Sequence, residues 1–361
     1  MLGFIALGLT SYMIYNLVKN ALIGKQLSKD DSFNETIELI IPVGANSDFF
    51  LEAWKSSLST FKIPSFQLKI HILLDGPHPG LKTWENLKND IPYLEVHHFP
   101  MRPNHQEAIP WMLDQVSEKI QSKIVIIGDP ELVPSETCFL SIAKTIIEKN
   151  RPYFVIPQTA KLNFVGEALA LLSPNLAFVS FYGTPKWSRT ISHSLLSATQ
   201  GWMCMDLNSF KELDFRSIRL SSWKEAISRH WNVQGKKYHL AFGEKLLLRY
   251  YPEEIPLMFQ QMRRLWVDLW AKKDKKAFYL FLTTIFLWSF PVICFFTHPY
   301  WSVASFLLLV MYRFFSKIIF QESWTAIVLH PLACLVWLGT FFMWLIESLK
   351  SHYKPQTSSG T

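Results

Sequence analysis

Ile124-Val125-Ile126-Ile127-Gly128-Asp129-Pro130-Glu131 decides the fold. An unbroken run of branched apolar residues, closed by glycine and aspartate, reads as a strand buried on both faces. Two upstream stretches repeat the design. Ile37-Glu38-Leu39-Ile40-Ile41-Pro42-Val43 is one, and Leu68-Lys69-Ile70-His71-Ile72-Leu73-Leu74, closed by Asp75-Gly76, is the other. Between them, Phe49 to Phe61 and Gln106 to Ile120 carry apolar residues at helical spacing. Strands alternating with helices predict an α/β domain over residues 36–251, with a mostly parallel sheet covered on both faces. In such sheets ligands bind beyond the carboxyl ends of the strands, where Asp75 and Asp129 sit. There is no internal repeat, and the one biased segment is a polar tail after Tyr353.

The rest of the 361-residue chain bounds the setting of that domain. It is 49% hydrophobic, with 14 Trp and 28 Phe, and that aromatic load excludes intrinsic disorder. Cys138, Cys204, Cys294 and Cys334 lie far apart without pairing or metal spacing, which excludes a disulfide-stapled module. The formal net charge is +7, yet no compact basic motif points to nucleic acid; a membrane surface accounts for it better.

Both ends read as membrane segments. Leu2 to Val18 is apolar over a length of roughly 25 Å, enough for a short span. No Lys or Arg precedes it, and Lys19, Lys25 and Lys29 follow. Residues 1–24 are therefore expected to be an uncleaved anchor, with the next domain cytoplasmic. Ala277 to Phe296 is an uncharged run entered from Lys272-Lys273-Asp274-Lys275-Lys276, a cytoplasmic stop at the headgroups. Further runs cover Val303 to Tyr312 and Thr325 to Ile346. Residues 277–349 are thus expected to form a small transmembrane bundle, preceded by an interfacial segment at 252–276 and followed by a polar tail at 350–361. Three spans would put the tail outside while Lys350 and Lys354 favour the inside, so the number of crossings stays open.

This order of features resembles the family 2 glycosyltransferases of GT-A fold. It is most similar to the membrane-anchored enzymes related to ceramide glucosyltransferase and to the hopanoid-associated and carotenoid glycosyltransferases. The resemblance covers nearly the whole chain. It includes Ile327-Val328-Leu329-His330-Pro331-Leu332, which is similar to the last membrane segment of the latter two. It implies donor-binding roles for Pro42 and Asn46 in the first strand and loop, and for Asp75 toward the nucleoside. Asp129-Pro130-Glu131 stands where the family has its Asp-x-Asp motif. Two carboxylates on a loop leaving a strand can hold Mg2+ or Mn2+ against a diphosphate. The same residues also suit a plain turn entering a helix. Thr199-Gln200-Gly201-Trp202 resembles the strand near the acceptor pocket, with Gly201 permitting close approach; a strand glycine equally marks a bulge.

The departures concern charge. Where the family carries an acidic pair on a helix, here Ser222 to Gln234, this chain has Trp223-Lys224. Glu225 serves as general base only if the helix start shifts by one residue, a rotation of about 100°. It also suits a helix N-terminus as an ordinary charge. Glu244 is a second candidate base. Asn104-His105-Gln106-Glu107 has glutamate where the family often has a lysine near the phosphates. Gln260-Gln261-Met262-Arg263-Arg264-Leu265-Trp266 resembles the Gln-x-x-Arg-Trp box, with Gln261 and Arg264 at family spacing, Arg263 beside them and Trp266 displaced by one. The box implies an acceptor site at the membrane face; the bland reading is an interfacial helix anchored by Arg and Trp.

The resemblance therefore implies an inverting, membrane-bound transferase moving sugar from a nucleotide donor, expected to be a UDP-sugar, to a lipid at the cytoplasmic face. The altered acidic motifs leave a second possibility open, a non-catalytic relative that binds nucleotide sugar, lipid or a partner.

Overall fold

The computed structural model describes residues 2–23, 25–26, 35–43, 50–61, 67–99, 101–103, 106–149, 151–159, 201–218, 223–234, 239–243, 247–249, 255–271, 275–320 and 324–353. The chain divides into two compact units. One is built from Val18–Ala160 and Tyr182–Tyr250, the other from Met1–Leu17, Lys161–Phe181 and Tyr251–Thr361.

The first unit holds the strands β1 (Lys25–Gln26), β2 (Ile37–Val43), β3 (Leu68–Asp75), β4 (Leu94–Phe99), β5 (Ile124–Ile127), β6 (Leu132–Pro134), β7 (Tyr153–Ile156), β8 (Gln158–Thr159), β9 (Trp202–Asp206), β10 (His239–Phe242) and β11 (Leu247–Arg249). Among the described residues, the main sheet has the order β1-β10-β7-β9-β5-β2-β3-β4, and β6-β11-β8 form a second, smaller one. Every pair in the main sheet is parallel except those made by β9, which runs antiparallel to both β5 and β7. The mostly parallel α/β architecture expected from the sequence is thus present.

Burial explains why these runs are strands. All residues of β2 are buried. Ile37, Leu39, Ile41 and Val43 join one core cluster with Trp54, Leu58, Trp84, Leu87, Phe139 and Ile142. Ile40, also 0% exposed, alternates to the opposite face, so water is kept from both sides of the sheet. The clustered aromatics come from amphipathic helices: the helix Leu51–Leu58 buries Leu51, Trp54 and Leu58 at the one-face spacing of a helix. Helices Leu81–Asp90 and Glu136–Lys149 supply the others. Glu38 is the polar exception in β2, and it accepts hydrogen bonds from the backbone N–H groups of Gln121 (2.9 Å) and Ser122 (3.1 Å).

The described residues of the second unit are mostly helical. Among its described elements are Ile255–Ala271, Lys276–Ile293, Pro299–Phe320, Trp324–Val328 and His330–Tyr353. Pro299–Ile318 and His330–Leu349 are each 20 residues of helix long and apolar enough to cross a membrane. That length is about 30 Å, the thickness of a hydrocarbon core. The apolar run expected at Val303 to Tyr312 is the middle of a longer helix. The run Thr325 to Ile346, expected to be continuous, is interrupted at Leu329. Pro331 supplies the reason: without an N–H it suits the first turn of a new helix and cannot continue an old one.

Candidate functional site

Asp75 is the last residue of β3, and Asp129 lies two residues beyond β5. Both strands pair with β2 in parallel register, so the two carboxylates leave the same edge of one sheet. With β2 between them they stand two strand spacings apart, roughly 10 Å. This is the crevice beyond the carboxyl ends where parallel sheets bind ligands. Pro42 is buried in β2 between them. Asn46 lies outside the described residues, as do Glu244 and the stretches 104–105 and 235–238.

The loop carrying Asp129 is held from below. The Trp54 indole donates to the Pro130 carbonyl (2.8 Å), and Leu132 N–H donates to the Asp129 carbonyl (3.1 Å). Gly128 has to be glycine, because a Cβ there would meet the Trp202 indole nitrogen at 2.7 Å. Gly201 is constrained in the same way: a Cβ would sit 2.6 Å from both the Phe154 ring and the Val155 carbonyl. The close approach at Gly201 is therefore made by the protein's own core. Its N–H points at Asp129 Oδ2, at 3.3 Å.

Each carboxylate that the sequence singles out for the donor site has a basic partner. Lys224 Nζ is hydrogen-bonded to Asp129 Oδ2 and donates to the Gly201 carbonyl at 3.3 Å. Arg249 lies 3.5 Å from Glu131, and Arg102 3.3 Å from Asp75. Local structure explains these meetings. Arg249 is opposite Leu132 in the antiparallel pair β6–β11, beside the residue it contacts. Lys224 is the second residue of the helix Trp223–Val233, and its side chain is only 8% exposed. The Asp75 pair is wetter, with the Arg102 side chain 35% exposed. Asp75 Oδ1 is buried and has no hydrogen-bond partner among the described residues.

A divalent cation is the group expected between Asp129 and Glu131. The residues present do not fit it: an ammonium already sits on Asp129, a guanidinium sits near Glu131, and a dication would meet like charge from both. Among the described residues, the side chains whose ligand-type atoms converge are His71, Glu95 and His97, within 4.8 Å of one another on β3 and β4. There the His71 and His97 rings hydrogen-bond each other at 3.0 Å, beside Glu38 at 3.7 Å.

Comparison with solved structures places this architecture. The chain superposes on the mannosyltransferase PcManGT from Pyrobaculum calidifontis, solved with GDP-Man and Mn2+. The TM-score is 0.50, with 10% identity over 96% of this chain and 99% of that one. The fold is of the GT-A type. S. aureus TarS 1–349, solved with UDP-GlcNAc, matches with a TM-score of 0.42 and 12% identity over 84% of this chain and 92% of that one. Neither a protein-family model nor a curated protein matches the sequence itself.

The other predicted site residues among the described ones lie on two helices of this GT-A chain. Glu225 follows Lys224 in the helix Trp223–Val233. Gln261, Arg263, Arg264 and Trp266 lie on Ile255–Ala271 in the helical unit. Trp266 is 0% exposed there, against Phe281 at 5.0 Å and Phe341 at 5.2 Å between ring centroids, and donates to Thr340 Oγ1 at 3.2 Å. Its ring is a packing element of the helices. Arg263 pairs with Glu347 at 3.1 Å. Sequence reasoning missed Arg102 and Arg249 altogether. It noticed Lys224, but as the loss of an acid and not as the partner of Asp129.

Proposed function

We propose that this chain is a membrane-bound glycosyltransferase that moves a sugar from a nucleotide-sugar donor to a lipid hydroxyl at the cytoplasmic face of a membrane. The observation that carries the reading is the pair Asp75 and Asp129 at one edge of a GT-A sheet. Asp75 Oδ1, buried and unpartnered among the described residues, suits a ribose hydroxyl or a base N–H. The nucleotides named for the two similar structures support a nucleoside diphosphate-sugar as donor, and the Mn2+ of one supports a positively compensated diphosphate. A lipid acceptor is supported by the helical unit, whose helices expose large apolar side chains such as Phe306, Leu307, Met311 and Phe342. Gln261, Arg263 and Arg264 are proposed to sit near headgroups, with Trp266 fixing their helix.

In this reaction the lipid hydroxyl attacks the anomeric carbon from the side opposite the nucleotide. A new C–O bond forms as the bond to the nucleoside diphosphate breaks, and the anomeric centre inverts. A carboxylate, Glu225 or Glu244, accepts the hydroxyl proton. Purified protein in detergent, offered UDP- or GDP-sugars with membrane lipid, is expected to release nucleoside diphosphate in step with glycolipid. Glu225→Ala is expected to lose turnover while keeping nucleotide binding; a fully active variant moves the base to Glu244.

Lys224 favours a second reading, because a cation occupies the place of the family's acidic pair and is tied to Asp129. In that reading the chain binds nucleotide sugar without transferring it. Retained nucleotide binding with no release over any lipid mixture is the result that selects it.

A further inference from the structure

The misfit between this site and a divalent cation has a constructive side. We infer that Lys224 and Arg249 replace the divalent cation, so that the site accepts the diphosphate of a nucleotide without metal. The inference rests on the donor-site reading proposed above. Charge bookkeeping supports it first. Asp129 and Glu131 with one divalent ion sum to zero, and so do Asp129 and Glu131 with Lys224 and Arg249. From these groups an incoming diphosphate meets the same summed charge in both arrangements.

Placement supports it second. An ammonium in the first turn of a helix opposes the helix dipole, and burying it adds a desolvation cost. Lys224 carries both burdens at 6% residue exposure. A sequence keeps a locally unfavourable charge where it is compensated, and here Asp129 compensates it. The ammonium has three N–H donors; Asp129 and the Gly201 carbonyl take two, leaving one for a phosphate oxygen. Arg249 comes from β11, a strand locked to β6 next to the Asp129 turn, so its guanidinium needs no rearrangement to stay near Glu131. A metal ion entering here would have to strip Lys224 from Asp129, leaving a buried ammonium with the Gly201 carbonyl and the Trp223 and Phe154 rings but no counter-charge among these contacts, which is the unfavourable outcome.

The test uses full-length protein in detergent, with UDP and GDP as probes, titrated by calorimetry in EDTA and again in Mn2+ or Mg2+. The expected result is binding of at least one nucleotide in EDTA, with affinity changed by less than about threefold on adding cation. Lys224→Met is expected to weaken binding in EDTA by about tenfold or more, the worth of a charge-assisted hydrogen bond. It should also make binding respond to Mn2+, since Asp129 is then released. Lys224→Arg should keep cation-free binding. If Lys224→Met does not fold, the double variant Lys224→Met with Asp129→Asn buries no charge; it should lose binding in EDTA and gain none from Mn2+. Wild-type binding that requires a divalent cation, or undiminished EDTA affinity in Lys224→Met, overturns the inference and leaves the donor site standing. Absence of nucleotide binding under both conditions overturns the donor-site reading, and this inference falls with it.

Discussion

Asp75 ends β3 and Asp129 lies two residues beyond β5, the two parallel strands that flank β2, yet they are embedded differently. Asp75 faces Arg102, whose side chain is 35% exposed, and keeps one buried oxygen without a partner among the described residues. Asp129 is tied to Lys224, 8% exposed, and to the Gly201 amide. The first pair is screened by solvent and can rearrange around a ligand. The second holds its cation in a drier setting, where loss of Asp129 would strand a buried ammonium. One end of the crevice is adaptable and the other is pre-set.

Breaking the dry pair has the largest expected effect. Lys224→Met should destabilise the sheet unit by about 2–3 kcal/mol, less than a fully buried pair because Asp129 is 20% exposed. A double-mutant cycle with Asp129→Asn, read by denaturant unfolding, should recover much of that loss, and strict additivity would show that the two charges do not interact. Acid probes the neighbouring strands next. Burial pushes His97 down to about 4 from the usual 6.5, with the His71 charge adding to the effect. Its folded value being depressed, the unfolded chain takes the proton first, so stability falls as pH drops from 6.5 toward 4. The loss should be on the order of 1–3 kcal/mol. Burial raises the Glu38 carboxyl, but His71 and the amides of Ser122 and Gln121 more than offset this and leave it below 4.5, so further stability goes at still lower pH. His97→Asn should flatten the 6.5 to 4 arm of the profile; an unchanged profile would assign the loss to other groups.

Trp54→Phe tests the support under Asp129. It removes the hydrogen bond to Pro130 and should cost about 1–2 kcal/mol in unfolding while weakening nucleotide binding through the loosened turn. Arg102→Met, at the wet end, should change stability by less than about 0.5 kcal/mol and lose even that in high salt. An Arg102 effect as large as that of Lys224 would erase the distinction between the two ends.

Much of the architecture could be read from residue order. Ile37–Val43, Leu68–Asp75 and Ile124–Ile127 are strands where apolar-rich runs predicted them, because burial on both faces leaves few polar positions, Glu38, Lys69 and His71 among them. The helix predicted from Ser222 to Gln234 spans Trp223–Val233. The break at Leu329 was harder to foresee, since hydropathy alone does not distinguish one long apolar helix from two joined at a proline. Trp266 was read as part of an acceptor-site box because the stretch resembles the family's Gln-x-x-Arg-Trp motif. Its packing neighbours, Phe281, Trp337 and Phe341, come from other helices and could not be read from the box.

Composition and periodicity by themselves determined the α/β class, the apolar ends and the place of Asp75 and Asp129 at strand termini, since each of these follows from local spacing and burial. Only the tertiary structure decided what those carboxylates touch. Lys224 reaches Asp129 across 95 residues of chain, and Arg249 reaches Glu131 across 118. Pairings over such separations are set by strand order and helix packing, which no window of neighbouring residues contains.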